Sequence, residues 1–250
     1  MIDLSNQTAI VTGASRGIGA ATAQMLARAG ANVIVCYRKN QKAAEKIVRN
    51  IEKSGSSGIT VRCRVESTVD CRRVVNKALK KYKRVDILVN SAGIWEYGPI
   101  DTMTEGQWSK TLSVNLTGTF NMCRQVIPIM KKQRYGRIIN ISSTAGQRGE
   151  SSYSHYAASK GGIIAFTKSI AVELIHDRIW VNCIAPGWVL TDMTAHVFSN
   201  QRSMKKNVDG IPRKKVATPE EIAGPVVFLS SSLSDNIVGE ILNVNGGSVL

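Results

Sequence analysis

The sequence predicts a doubly wound α/β domain, one parallel sheet with helices packed on both faces. Three observations predict it: short apolar runs alternate with longer amphipathic stretches throughout, a glycine-rich turn joins the first run to the first amphipathic stretch, and no linker or repeat breaks the rhythm. The 250 residues are long for one domain, but sheets of this kind reach that length around one extended core. Residues 1–250 are therefore read as a single domain.

The first strand is expected at residues 7–12, an Ala-rich helix at 17–29 and a strand at 32–37, which make one βαβ unit. A helix at 41–53, a strand at 59–65, a helix at 68–83 and a strand at 85–90 continue it. A long helix at about 104–132, a strand at 137–142, a helix at about 154–176 and a strand at 180–184 follow. The last pair is a helix around 219–230 and a strand at 240–244. Seven strands result, and they run parallel because each helix must cross back over the sheet. Between residues 191 and 216 lies one long polar segment carrying Met193, His196, Phe198 and Met204. Because it follows the C-terminal end of a strand, it reads as a substrate lid, with an exposed helical excursion as the alternative.

Composition narrows the function. A hydrophobic fraction of 43% with 21 Gly and 6 Pro fits a folded globular chain. No apolar run approaches the roughly 20 residues that cross a bilayer, and the start Met1-Ile2-Asp3-Leu4 lacks a basic segment followed by an apolar one. A cytoplasmic protein without a membrane partner is expected. Five cysteines with no CxxC pair and three histidines outside any HExxH spacing point to free thiols and no metal. The formal charge is +15, and residues 38–84 alone hold 15 Lys/Arg against 4 Asp/Glu. That stretch interleaves only Tyr82 as a stacking aromatic, so it reads as a solvated basic face attracting anionic small molecules or an acidic partner, and nucleic acid is not expected.

Thr12-Gly13-Ala14-Ser15-Arg16-Gly17-Ile18-Gly19 joins the first strand to the first helix. Glycines there let the backbone turn sharply and approach a pyrophosphate, while the helix N-terminus offers free N–H groups and a positive dipole end. This is the signature of a Rossmann-type dinucleotide site. An NAD site places a carboxylate at the end of the second strand, whereas a 2′-phosphate needs cations. Here Cys36-Tyr37-Arg38-Lys39 ends that strand, and no Asp or Glu occurs between Asp3 and Glu45. Arg16 and Arg38 suit phosphate, so NADP(H) is the expected cofactor. Further on, Tyr156 and Lys160 stand four apart on one helix face, where an ammonium beside a phenol favours phenolate and lowers its pKa.

Order and spacing of five motifs resemble the short-chain dehydrogenase/reductase family over nearly the whole chain. The glycine loop matches, as do Asn90-Ser91-Ala92-Gly93, Asn115, Ser143 thirteen residues ahead of Tyr156 with Lys160 four beyond it, and Pro186-Gly187-Trp188-Val189-Leu190-Thr191. The resemblance implies that Tyr156 donates a proton to a carbonyl oxygen that Ser143 hydrogen-bonds. Lys160 then tunes Tyr156 and holds the nicotinamide ribose, and Asn115 anchors a proton relay. It further implies that Gly13, Ser15, Arg16, Gly17, Ile18, Gly19, Arg38, Asn90, Ala92, Gly93, Pro186, Gly187, Val189 and Thr191 bind the cofactor together with Tyr156 and Lys160. Two positions depart from the pattern. Arg64-Val65-Glu66 stands where the family has Asp-Val near the adenine, leaving Arg64 as a stacking or charged contact or a surface residue, and Ser91 replaces an Asn.

Within the family the motif text and the ending Gly239-Glu240-Ile241-Leu242-Asn243-Val244-Asn245-Gly246-Gly247 are most similar to 3-oxoacyl-[acyl-carrier-protein] reductases of fatty acid biosynthesis. Arg134 matches a carrier-facing arginine of those reductases, and Asp177 with Arg178 beside it stands where a second is expected. Trp95, Tyr97 and Trp188 either line a pocket for a bulkier ketone or pack. A carbonyl, sugar or polyol dehydrogenase of the same family is the alternative. A non-catalytic NADP-binding protein or nucleic-acid binder is the outside one. Family assembly through the helices at 104–132 and 154–176 implies a homotetramer.

Overall fold

The strands are rich in Val, Ile and Leu because both faces of a parallel sheet are covered by crossover helices and must be apolar. In the computed structural model, which describes residues 2–250 and of residues 201–203 the backbone alone, these are β1 (Thr8–Val11), β2 (Asn32–Tyr37), β3 (Gly58–Arg62), β4 (Ile87–Asn90), β5 (Gly136–Ile141), β6 (Ile179–Pro186) and β7 (Ile241–Val244). They pair in parallel in the order β3-β2-β1-β4-β5-β6-β7, in register from Thr8 opposite Asn32 to Pro186 opposite Val244. Helices α1 (Gly17–Arg28), α2 (Gln41–Lys53) and α9 (Pro219–Leu229) cover one face. Helices α3 (Thr68–Tyr82), α5 (Gly118–Gln133) and α7 (Ser154–Leu174) cover the other. Successive strand residues alternate between the two cores: Ala9 and Val11 pack with Leu26, Ile51 and Val226, whereas Ile10 packs with Val74, Met122 and Leu174.

Most expected boundaries hold within two residues, and the exceptions have local causes. The helix expected at 104–132 is two, α4 (Glu105–Leu112) and α5, joined by a π turn at Ser113–Thr117 that carries Asn115. A turn with one extra residue breaks the helical register, and such turns cluster at functional sites. The strand expected to reach 65 ends at Arg62, because Arg64 N–H is taken by Asp70 Oδ2 at 2.9 Å and the chain bends away from β2. The helix around 154–176 ends at Leu174 and tightens into a 3₁₀ turn at Ile175–Asp177 before left-handed Arg178 (φ 60°). A short helix α6 (Ala145–Arg148) was not expected.

Residues 191–216 contain α8 (Gln201–Asp209), and the segment is closed at its base: Leu190 N–H donates to Ala217 O at 2.9 Å and Ala217 N–H to Trp188 O at 3.0 Å. The strand order reverses between β1 and β4, which opens a crevice at the C-terminal ends of the strands. That crevice is where the expected site residues gather.

Candidate active site

The glycine turn is held from behind by Thr12. Its hydroxyl accepts the N–H groups of Ser91 and Ala92 at 3.0 and 3.1 Å, tying the β1 turn to the segment after β4. Gly13 lies at φ +65°, and a Cβ there would meet Ala92 Cα at 2.9 Å, so only glycine lets the two loops close on each other. No side chain caps α1, and its first turn has no acidic residue, so its N–H groups remain open toward an anion. Gly13, Ser15, Arg16, Gly17, Ile18 and Gly19 all line a cleft of about 710 Å³. Arg38, Ala92, Gly93, Ser143, Tyr156, Lys160, Pro186, Gly187, Val189 and Thr191 line it as well.

At its far end Arg38 lies 3.3 Å from Glu66, and Arg16 lies 3.4 Å from Asp192 across the mouth. Lys39 and Asn40 complete that end. Sequence reasoning left Cys36, Cys63, Val65 and Glu66 out of the cofactor set, although it placed Val65 and Glu66 near the adenine; Cys63 and Val65 lie in the stretch after β3 that was read as continuing strand. Arg64 turns out of the cleft to Asp70, at 3.5 Å. Two expected residues stand behind the walls. Asn90 donates to Asn140 Oδ1 at 2.9 Å inside the sheet. Asn115, fully buried in the π turn, accepts from Ile94 N–H at 2.8 Å and donates to Ser159 Oγ at 3.0 Å, so it ties the loop after β4 to α7.

The reactive hydroxyls are assembled by α6 and α7. Gly146 packs on the α7 backbone so closely that a Cβ would sit 2.6 Å from Lys160 C. Ser143 Oγ accepts Ala145 N–H at 3.1 Å, which leaves its own proton to donate. Burial pushes the Tyr156 phenol up to about 12, with the hydrogen bond to Ser143 pulling the other way. Burial depresses Lys160 to about 8. The expected lowering of Tyr156 by Lys160 is therefore corrected. The Lys160 ammonium donates to Ile141 O at 2.7 Å and lies 5.7 Å from the centre of the Tyr156 ring, and desolvation of the phenol prevails.

Beyond Ser143 and Tyr156 a second cavity of about 270 Å³ opens beneath the 191–216 segment. Trp95 is its aromatic centre, stacked on Tyr153 at 4.5 Å, edge-on to Trp188 at 5.9 Å and 5.4 Å from the His196 ring. Tyr97 packs edge-on against Tyr153 and is largely exposed. Met193, Thr194, Lys206, Asn207 and Ile211 complete the wall. The expected carrier-facing Arg134 is engaged within the chain: it donates to Asp177 Oδ1 at 3.0 Å and His176 O at 3.1 Å, and Lys131 lies 3.0 Å from the same aspartate.

A nucleotide cleft sharing its inner end with a half-buried tyrosine and serine and a buried lysine defines an oxidoreductase that acts on CH–OH and C=O groups. The family described as Enoyl-(Acyl carrier protein) reductase matches residues 13–248. The chain is 39% identical to a 3-oxoacyl-[acyl-carrier-protein] reductase of Synechocystis sp., covering all of both chains. It is 40% identical to one of Chlamydia muridarum over 98% of each. A crystal structure of a putative gluconate dehydrogenase from Agrobacterium tumefaciens superposes with a TM-score of 0.95 at 33% identity, covering 100% of this chain and 99% of that one. This chain belongs to the short-chain dehydrogenase/reductase family.

The cleft fits the family's dinucleotide NADP(H). Gly13 and the open α1 N-terminus form a cradle for pyrophosphate, and the end of β2 offers Arg38 and Lys39 with no acid. Among the described residues no helix is long and apolar enough to cross a membrane, and no group of three or more His, Cys, Asp or Glu is placed to hold a metal ion.

Proposed function

We propose that the enzyme reduces the ketone of a 3-oxoacyl thioester to a secondary alcohol with NADPH. One observation carries the chemistry: Ser143 and Tyr156 line both the nucleotide cleft and the smaller cavity, so their hydroxyls stand where a carbonyl in that cavity meets the cofactor. The thioester is supported by the full-length relatives named 3-oxoacyl-[acyl-carrier-protein] reductase.

Bound NADPH supplies the hydride to the carbonyl carbon. Ser143 donates a hydrogen bond to the carbonyl oxygen and stabilises the charge growing on it. Tyr156, held near 12 and so protonated at neutral pH, gives its proton to the alkoxide and is re-protonated from solvent. Lys160, fixed on Ile141 O, is placed to hold the ribose beside Tyr156, and Asn115 keeps the loop after β4 and α7 in register. Asn90 serves the cofactor site indirectly, by fixing the end of β4 against β5. The 191–216 segment covers the cavity as a lid with a closed base, within a single domain spanning 1–250.

The carrier surface expected at Arg134 is weakened where Asp177 neutralises Lys131 and Arg134. The five free, buried cysteines support a reducing, cytoplasmic setting. A homotetramer is supported by an exposed apolar face on α5 and α7. The aromatic narrowing around Trp95, with a structural neighbour described as a putative gluconate dehydrogenase, supports a sugar or polyol dehydrogenase as the second reading.

NADPH oxidation followed with acetoacetyl-CoA, and with NADH as control, tests the proposal. Turnover that prefers NADPH and falls at least about 10³-fold in Tyr156→Phe is expected. Activity on free ketones or sugars alone selects the second reading, and activity on crotonyl-CoA alone means that the double-bond chemistry in the family's description applies.

A further inference from the structure

The cavity beyond Tyr156 holds more positive charge than reduction of a neutral ketone requires. Its wall includes Arg148, the last residue of α6, and Lys206 on α8. Both side chains are exposed at its rim. Among the described residues neither has a carboxylate within ion-pair distance. Arg28, Arg49, Arg62, Arg72, Arg124 and Arg178 also lack such a partner among the described residues, but none of them lines this cavity, whereas Arg148 does.

Among the described residues the one acid in the wall is Glu150, which is hydrogen-bonded to Trp95 and forms no ion pair with either cation. Its Oε2 accepts Trp95 Nε1 at 3.3 Å, and burial raises its carboxyl above the usual range, against the pull of the Trp95 hydrogen bond and of Arg148. Two like charges reaching one cavity of about 270 Å³ from separate elements repel each other until an anion lies between them. The guanidinium matches a carboxylate in two parallel hydrogen bonds, and the cavity lies just below the roughly 300–1,000 Å³ usual for ligand sites, so the part of the ligand it encloses is compact.

We propose that the natural ketone carries a carboxylate several bonds from the reacting carbonyl, held between Arg148 and Lys206. The proposal rests on the ketone-reductase reading and narrows its substrate to an oxo acid, either a 3-oxoacyl thioester ending in a carboxylate or an oxo sugar acid. Because Lys206 belongs to the 191–216 segment and Arg148 to the body of the domain, the bridging carboxylate also draws α8 toward α6 over the reacting carbonyl.

Two matched pairs test it: 3-oxoadipyl-CoA against 3-oxohexanoyl-CoA, and 5-ketogluconate against fructose, each with wild type, Arg148→Met, Arg148→Lys and Lys206→Met. In one pair the acid is expected to exceed its neutral partner at least tenfold in kcat/KM. That ratio should fall about 10- to 100-fold in Arg148→Met, chiefly through KM, and recover in part in Arg148→Lys. The pair that responds identifies the source. Independently of turnover, adipate but not adipamide should quench the fluorescence of Trp95 and Trp188 in the NADP⁺-loaded protein, with at least tenfold weaker affinity in Arg148→Met. Turnover of the neutral ketones with no preference for the acids, or adipate binding indifferent to Arg148, overturns the carboxylate site and leaves the reductase reading intact. Silence on all four ketones with Arg148-dependent adipate binding overturns the reductase reading and upholds the anion site.

Discussion

Lys160 shows what the site costs the fold. Its ammonium is buried and held by one carbonyl, Ile141 O, with no carboxylate at hand, and its pKa falls from an ordinary 10.5 to about 8. The folded protein therefore binds fewer protons than the unfolded chain between about pH 8 and 10.5, and stability from this group rises with pH through that window. Below the window the charge is carried at full cost, an upper bound of about 3 kcal/mol at about 1.4 kcal/mol per pKa unit. Lys160→Met is expected to be inactive, yet more stable than wild type by about 1–3 kcal/mol at pH 7 in urea unfolding, with the difference shrinking toward pH 10.5. A variant less stable at every pH would mean that the Ile141 hydrogen bond outweighs desolvation. Tyr156 runs the opposite way: with its pKa raised to about 12 the folded state keeps a proton that the unfolded chain loses, so its contribution falls as pH rises from 10.

Among the elements, the 191–216 segment is fixed at its base by the start of α9. Thr218 and Glu221 form a reciprocal cap there, and Glu221 also takes Arg213 at 2.6 Å and Lys215 at 3.3 Å, which hold its carboxyl down at about 2 behind the backbone hydrogen bond from Thr218. A depressed carboxylate stabilises above its ordinary pKa and loses that contribution as pH falls toward about 2. Thr218→Ala should cost about 1 kcal/mol, and Glu221→Gln should speed amide exchange at 213–217 while leaving β4 and β5 unchanged. Equal protection in both regions would show that the lid base is held by packing alone.

Elements of this kind also mark where the sequence was legible. All seven strands follow from short, continuous apolar runs, and the glycine turn and the Tyr156–Lys160 pair sit on a strand end and a helix face that those runs and the stretches between them define. The π turn at Asn115, the bend after Arg62 and helix α6 did not follow. Each is set by contacts across the chain, Asn115 with Ile94 and Ser159, Arg64 with Asp70, Gly146 with Lys160, and no local pattern encodes such partners. Arg148 escaped for the same reason, since it enters the site only through α6.

At the scale of the whole molecule, α7 has apolar and small residues on its outer side as well as its inner one. Ala158, Ala165 and Ser169 are exposed, Val172 is 71% exposed, and Phe120 of α5 stands beside Phe166 of α7 while 43% exposed itself. Lys168 and Glu173 are the charged residues exposed on this helix, and beside them the small and apolar side chains form a face that a second helix can approach closely. Paired through a two-fold axis, α7 would lie on α7 and Phe120 would be buried at the margin, an isologous contact of the kind that builds closed dimers and tetramers. The α7 contact alone makes a dimer, and a second two-fold contact through α5 completes the tetramer, for which light scattering on the purified enzyme should give four times the 27.2 kDa chain mass. Ala165→Arg, which places a charge in the middle of that contact but outside both cavities, should yield smaller species that keep the far-UV signature of the fold. A wild-type mass of one chain would leave this face to some other partner and remove the tetramer from the account.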